Sequence, residues 1–138
     1  MSEAVRNLEP KVIWSHFADL NAVPRGSKKE DRVQQFIMDF GNNLGLETTK
    51  DATGNILIRK PATPGMENRK GVVLQGHLDM VHQKNGDTDF DFDNEGIKMR
   101  IEGDWVKAHG TTLGADNGLG VAAAMAVLSS ADIPHGFI

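Results

Sequence analysis

Residues 73–80 read Val-Leu-Gln-Gly-His-Leu-Asp-Met, and this stretch decides how the rest of the chain is interpreted. Its apolar beginning, together with Val72, predicts a strand covered on both faces, as strands in helix-flanked sheets are. The strand stops at Gly76, and an imidazole and a carboxylate follow at His77 and Asp79. Binding sites of α/β proteins gather at the carboxyl ends of such strands. The stretch therefore predicts an α/β fold with a candidate site where this strand ends.

A second carboxylate lies in Thr-Thr-Leu-Gly-Ala-Asp-Asn-Gly-Leu-Gly at residues 111–120, where a glycine-rich turn leads into an alanine-rich segment. Asp116 has two interpretations that the sequence leaves open. Aspartate caps helix N-termini by accepting a free amide, and aspartate also joins histidine in hydrolytic metal sites. His77 and Asp79 are likewise open to interpretation as polar loop residues or as site residues. The glycine spacing matches neither phosphate-loop pattern, which argues against a nucleotide site.

The composition is that of a soluble globular domain, with 138 residues, 39% hydrophobic and 25% charged. A formal net charge of −4 argues against non-specific nucleic-acid binding, which needs a basic face. The chain has no cysteine, so disulfides and thiolate zinc sites are excluded. The N-terminus has no apolar signal core, and no apolar stretch approaches the roughly 20 residues of a membrane span. We therefore expect a cytoplasmic protein that binds neither nucleic acid nor membrane.

Three helices are predicted from apolar spacing. The first covers residues 10–22, and the third, rich in alanine, valine and methionine, covers residues 118–130. The second follows Ser27 and Glu30, whose spacing fits a capping box in which each side chain binds a free amide. Gly45 is the expected stop of this second helix, since glycine adopts the left-handed conformation that ends helices.

Four short strands are predicted as two hairpins. Residues 46–50 and 55–60 flank a turn-rich segment, and the alternating residues 97–101 precede a second turn that leads to residues 105–107. With the helices between and around them, these strands place the chain in the α/β class.

An acidic segment at residues 84–95 invites comparison with a calcium loop. Counted from Asp87, the segment lacks the glycine and the glutamate that the EF-hand requires at positions six and twelve. We interpret it as a solvated surface loop. His82 and His109 are near the site motifs in the sequence and are kept as further candidates. Phe137-Ile138 has the composition of a beginning strand, from which we expect that the chain is truncated.

Residues 76–81 and 111–118, with the flanking segment 54–68, resemble the M20 metallopeptidases, and more closely their aminoacyl-histidine dipeptidase branch. The resemblance runs from about residue 10 to residue 136. It implies that residues 1–138 are the N-terminal part of a zinc-peptidase catalytic domain, a mixed sheet flanked by helices. The lid or dimerisation domain and the rest of the catalytic domain would be absent.

The resemblance implies a role for each candidate residue. His77 would bind one of two zinc ions, Asp116 would bridge both, and Asp79 would orient the site from behind His77. Co²⁺ or Mn²⁺ could take the place of zinc. The peptide bond that follows Asp116 is expected to be cis. The general base and the remaining ligands would lie beyond this chain.

The implied activity is hydrolysis of Xaa-His dipeptides such as carnosine by a zinc-activated water, in an enzyme that forms a homodimer when complete. This chain alone is expected to be inactive, because it supplies only part of the ligand set. Two alternatives stay open. One is another M20 activity, such as that of an aminoacylase or a tripeptidase, and the other is a non-catalytic remnant.

Overall fold

The computed structural model describes residues 2–138, which form three helices, then four short strands and then a fourth helix. The elements are α1 (Ser2–Val5), α2 (Lys11–Asn21), α3 (Asp31–Asn43), β1 (Glu47–Lys50), β2 (Ile56–Arg59), β3 (Met99–Glu102), β4 (Trp105–Ala108) and α4 (Ala115–Ser129). The α/β class, the three long helices and both hairpins are confirmed, whereas the short α1 was not foreseen. In this described part of the chain, no helix is both long enough and apolar enough to cross a bilayer.

Buried side chains form two clusters that join the helices. The first cluster lies between α1, α2, β3 and α4, and the second lies between α2, α3 and α4. Residues 78–80 connect the two clusters, because Met80 belongs to the first and Leu78 packs against the second. Enclosed members are Val5, Phe17, Met80, Met99 and Ala122 in the first cluster, and Leu20, Val33, Ile37, Val121 and Met125 in the second.

The predicted capping box at the start of α3 is wrong. The helix begins at Asp31, and no side chain caps it. The Glu30 carboxylate accepts the amide of Lys28 instead, at 2.9 Å. Ser27 is carried away from the helix by a turn in which the Lys29 amide binds the Gly26 carbonyl. Its hydroxyl donates instead to the carboxylate of Asp79, and a hydrogen bond to an ionised acceptor is stronger than one between neutral groups.

The predicted end of α3 is confirmed. Gly45 follows the helix with a φ of +70°, a conformation that costs glycine little. The amides of Gly45 and Leu46 bind the carbonyls of Asn42 and Gly41, respectively. This pair of hydrogen bonds is the Schellman motif, which satisfies carbonyls that the last turn of a helix leaves free.

The strands pair as two antiparallel ribbons. In β1–β2 the residue opposite Glu47 is Arg59, and in β3–β4 the residue opposite Met99 is Ala108. Within residues 2–138 the two ribbons are separate sheets, not parts of one continuous mixed sheet. An isolated parallel bridge between Gly26 and Met80 adds one further backbone pairing close to the candidate site.

The buried strand predicted around residues 72–74 is wrong. The side chains there are exposed, Val73 to 85%, and no strand is formed. The physical reason is the lack of a neighbour: an open groove of about 780 Å³ separates this segment from β2. Phe137 and Ile138 are among the residues that line the groove. The Phe137 carbonyl accepts a hydrogen bond from the Val72 amide, and Ile138 exchanges two backbone hydrogen bonds with Lys60. That the chain is truncated stays a prediction.

Candidate functional site

The three predicted site residues lie together at the surface, with the His77 imidazole between two carboxylates. Its Nε2 is 3.0 Å from Asp116 Oδ1, and its Nδ1 is 3.0 Å from Asp79 Oδ1. An imidazole can donate from both nitrogens only when it is protonated. The pKa of His77 is therefore raised above its ordinary value, mainly by the hydrogen bond to Asp116 and further by Asp79, against a smaller effect of desolvation.

The two carboxylates differ in their exposure to solvent. The Asp116 side chain is 94% exposed, whereas Asp79 is 31% exposed and lies behind the imidazole. The His77 ring is about half exposed, so Nε2 and the Asp116 oxygens form the accessible face of the group. An incoming ligand would meet this face first.

Asp116 is not the cap of α4, so the first of the two interpretations of this residue is excluded. Gly114 occupies the N-cap position, with a φ of +76° and no side-chain cap. Asp116 and Asn117 have non-helical backbone angles, and the peptide bond between them is cis, as expected. The first turn therefore presents the Asp116 carboxylate to His77 and not to a helix amide.

Asp79 is held in place by a residue that sequence reasoning assigned elsewhere. The Ser27 hydroxyl donates to Asp79 Oδ2 at 2.5 Å. This hydrogen bond is the main cause of a lowered pKa of Asp79, and the bond from His77 adds to it. Asp79 thus stays ionised and accepts a hydrogen bond from Nδ1 of His77, so that Nε2 is the outward-facing nitrogen.

Arg25 is a second residue that sequence reasoning missed. It is 1% exposed, and its guanidinium donates to the carbonyls of Leu78 and Gly114 and to the side chain of Asn21. Burial lowers its pKa to about 10, so that it remains charged at neutral pH. The only signal in the sequence was an arginine within the segment that breaks α2, and nothing there showed which groups it would reach.

The two further candidates, His82 and His109, are placed outside the group. His82 stacks on the Phe92 ring with 4.3 Å between centroids, and desolvation lowers its pKa. The backbone amide of His109 donates a hydrogen bond to the Lys98 carbonyl. In the described residues, the hydrogen-bond partners of His77 include neither of these histidines.

The donor set fits part of a metal site. His77 Nε2 and an Asp116 oxygen are ligand types that zinc accepts, and both face the same accessible point. Zinc takes four ligands in most protein sites. Among residues 2–138, no three histidine, aspartate or glutamate side chains converge in a way that could hold a metal ion. The ligand roles of His77 and Asp116 stay predictions.

Two similar proteins are dipeptidases. Over 136 residues, 99% of this chain, the sequence is 52% identical to the cytosol non-specific dipeptidase of Escherichia coli (strain K12). The crystal structure of the aminoacylhistidine dipeptidase from Vibrio alginolyticus matches the whole chain with a TM-score of 0.95 and 50% identity. Nearly the whole of this chain is thus similar to a part of each of these two dipeptidases. The predicted resemblance to an aminoacyl-histidine dipeptidase is confirmed.

The chain spans 28% of the length of the E. coli relative and 29% of the V. alginolyticus chain. Two more distant structures share the fold over 95% of this chain: a tripeptidase from Staphylococcus aureus (TM-score 0.74, 22% identity) and an aminopeptidase from Bacillus cereus (TM-score 0.73, 24% identity). No family model matches the sequence.

Proposed function

We propose that this chain supplies part of the active site of a metal-dependent dipeptidase that hydrolyses Xaa-His dipeptides such as carnosine. The observation that carries the proposal is the His77–Asp116 pair at the accessible face, with Asp79 behind the imidazole. The name of the V. alginolyticus relative, an aminoacylhistidine dipeptidase at 50% identity, supports the choice of substrate.

His77 and Asp116 are the residues that would hold zinc, and Co²⁺ or Mn²⁺ are the alternatives. When bound, a pair of such ions lowers the pKa of a water so that hydroxide is available at neutral pH. Asp79 keeps the proton on Nδ1 of His77, which leaves the lone pair of Nε2 for the metal. The hydrogen bond from Ser27 holds the Asp79 carboxylate in this position. The two oxygens of the exposed Asp116 suit a bridging position between ions.

Metal binding is tested first, on the chain itself. We expect Co²⁺ or Zn²⁺ to bind weakly, because two protein donors make an incomplete set. Asp116→Ala should abolish this binding, whereas Asp104→Ala, which removes an exposed aspartate in the β3–β4 turn, should leave it unchanged. Equal metal affinity in both variants would contradict the assignment of Asp116 as a ligand.

Activity is tested by placing this chain in the E. coli dipeptidase, in exchange for the segment that it matches over 136 residues. The hybrid should release histidine from carnosine. Asp116→Ala should reduce the release to background, and Asp79→Asn should lower it about 10- to 100-fold, the usual cost of losing a carboxylate behind a metal-bound histidine. A hybrid with Asp116→Ala that keeps normal turnover would refute the proposed site.

A second candidate is a dipeptidase of broad specificity, favoured by the name of the 52% identical E. coli relative, a non-specific dipeptidase. The hybrid distinguishes the two when carnosine is compared with a dipeptide that lacks histidine. Similar kcat/KM for both substrates would favour broad specificity, and a clear preference for carnosine would favour the Xaa-His activity. Aminoacylase activity, tripeptidase activity or no activity are the remaining possibilities, and an N-acyl amino acid and a tripeptide as further substrates of the hybrid separate them.

The location and assembly of the complete enzyme are also part of the proposal. A cytoplasmic location is supported by the name of the E. coli relative, a cytosol dipeptidase. A homodimer is expected from the resemblance stated above, and the mass of the purified hybrid in solution tests it.

A further inference from the structure

The last residue of α2 and the six residues that follow it, residues 21–27, lie against both parts of the chain that carry the site, and we call this segment the connector. Its Arg25 carbonyl accepts the Met80 amide at 3.0 Å, and the Ser27 amide donates to the Met80 carbonyl at 3.3 Å. With the Gly26–Met80 bridge, these bonds align the connector with the segment that holds His77 and Asp79. The backbone of one side of the site is thereby fixed.

Arg25 extends this attachment to the other side of the site. Its Nη1 donates to the carbonyl of Leu78, which lies between the two site residues of the first segment, at 3.1 Å. Its Nη2 donates to the carbonyl of Gly114, two residues before Asp116, at 2.8 Å. Because a guanidinium is planar and rigid, two such bonds fix the separation of the segments that they join.

Asn21 holds the guanidinium in this position. Its Oδ1 accepts a bond from Arg25 Nη2 at 2.7 Å, and its Nδ2 donates to the Leu113 carbonyl at 3.1 Å. Asn21 is itself 1% exposed. The carbonyls of Leu113 and Gly114, three and two residues before Asp116, are therefore both bound from the connector.

The glycines near Asp116 leave room for the guanidinium. A Cβ atom at Gly114 would lie 2.5 Å from Arg25 Nη2, and one at Gly118 would lie 2.6 Å from the same atom. Arg25 thus packs directly against the backbone on both sides of Asp116. The glycine-rich stretch that the sequence offered as a turn also serves as the surface on which the arginine lies.

A buried arginine is a costly way to fill space. Nε has no hydrogen-bond partner within residues 2–138, and no carboxylate is hydrogen-bonded to the guanidinium. The nearby charge of Asp79 stabilises the guanidinium only in part. Without a hydrogen-bonded carboxylate its burial still reduces stability, and an apolar side chain would fill the same volume at less cost. We infer that Arg25 is a positioning residue, whose fork of hydrogen bonds sets the approach of Asp116 to His77. The inference rests on the proposed function only in one respect, namely that the positioned pair of His77 and Asp116 serves to bind a metal ion.

The test measures the approach directly, in the 138-residue chain, without metal or substrate. Asp116→Ala should shift the ¹⁵N resonance of His77 Nε2, because it removes the carboxylate 3.0 Å away. Arg25→Lys keeps the positive charge but not the forked guanidinium. In this background, Asp116→Ala should produce less than half of the shift. Arg25→Met should reduce it further.

The control is Val33→Ala, which removes buried volume from α3 in the second cluster, where Leu78 of the site segment is held by packing and not by a hydrogen bond. In this background the full shift should be retained. An undiminished shift in both Arg25 variants, or an equal loss in the control, would overturn the inference. Failure of Arg25→Lys to fold would overturn it as well, since the role would then be structural alone. Because no activity is measured, failure of the proposed dipeptidase function would be seen separately, in the hybrid.

Discussion

The two ends of the stretch 72–80 have similar apolar content and opposite surroundings. At the far end, Met80 is 2% exposed, exchanges backbone bonds with the connector and joins the first buried cluster. At the near end, Val73 is 85% exposed beside an open groove. An apolar run therefore predicts burial only where other segments are present to cover it and to pair with its backbone.

The largest contrast is expected between truncating a side chain of the cluster that encloses Met80 and truncating one at the near end of the stretch. Phe17→Ala, in the cluster that holds Met80, should lower the free energy of unfolding by about 3–5 kcal/mol, since it leaves a cavity in an enclosed core. Val73→Ala should change it by less than about 0.5 kcal/mol. Urea unfolding of both variants measures the difference, and a large loss from Val73→Ala would show that the near end is covered in solution.

The glycine that faces Arg25 offers a sharper contrast, because another glycine shares its backbone conformation but not its neighbours. Gly114 and Gly45 both have a φ near +70° to +76°. A Cβ at Gly114 would meet Arg25 and Met80, whereas one at Gly45 would meet nothing within 4 Å. Gly114→Ala should cost about 3 kcal/mol and Gly45→Ala about 1 kcal/mol in thermal or urea unfolding. Equal losses in the free energy of unfolding would mean that the side chains around Gly114 move aside readily to accommodate a Cβ atom.

The pH dependence of the site should be small and should have opposite signs at its two ionisable partners. His77 has a raised pKa, so its contribution to stability is present below the ordinary histidine value and is lost as the pH rises through the folded value. Asp116→Asn should lower the pKa of His77 more than Asp79→Asn, and NMR titration of the imidazole measures both. The associated stability change should stay below about 1 kcal/mol, because the pair lies in water.

Asp79 should show the reverse dependence. Its pKa is lowered, so its contribution is present above the ordinary aspartate value and is lost as the pH falls through the folded value. Ser27→Ala should raise the pKa of Asp79 toward the ordinary value, since the Ser27 hydroxyl is the main cause of the shift. Ser130→Ala, which removes a similar hydroxyl from Asp132, should not affect Asp79. Carboxylate titration by NMR compares the two variants.

What the sequence predicted correctly depended on local patterns. The end of α3 at Gly45 and the hairpins follow from turn residues and from spacing over a few positions. The meeting of His77 with Asp116 was indicated by two motifs recognised together, and not by spacing. What the sequence did not reveal depended on distant contacts: the partners of Arg25 at Leu78 and Gly114 lie 53 and 89 positions away.

The misassigned Ser27 shows the same limit. Its spacing to Glu30 fits a local cap as well as any sequence can. The hydroxyl instead binds Asp79, 52 positions further along the chain. As a cap, the serine oxygen would accept a bond from a helix amide. In the folded chain its hydroxyl donates to a carboxylate that only the fold brings near. The local pattern of residues 21–27 therefore did not indicate that they reach the site.

The unequal exposure of the two carboxylates makes ionic strength a means of separating them. Raising the salt concentration from 0.01 M to 1 M shortens the Debye length from about 30 Å to about 3 Å. The interaction of Asp116, which is 94% exposed and 3.0 Å from His77, is then partly screened, whereas that of Asp79, 31% exposed and bonded to Ser27, is screened much less. The salt in the buffer thus sets how firmly the outer carboxylate is attached to the imidazole, while the inner one keeps its place.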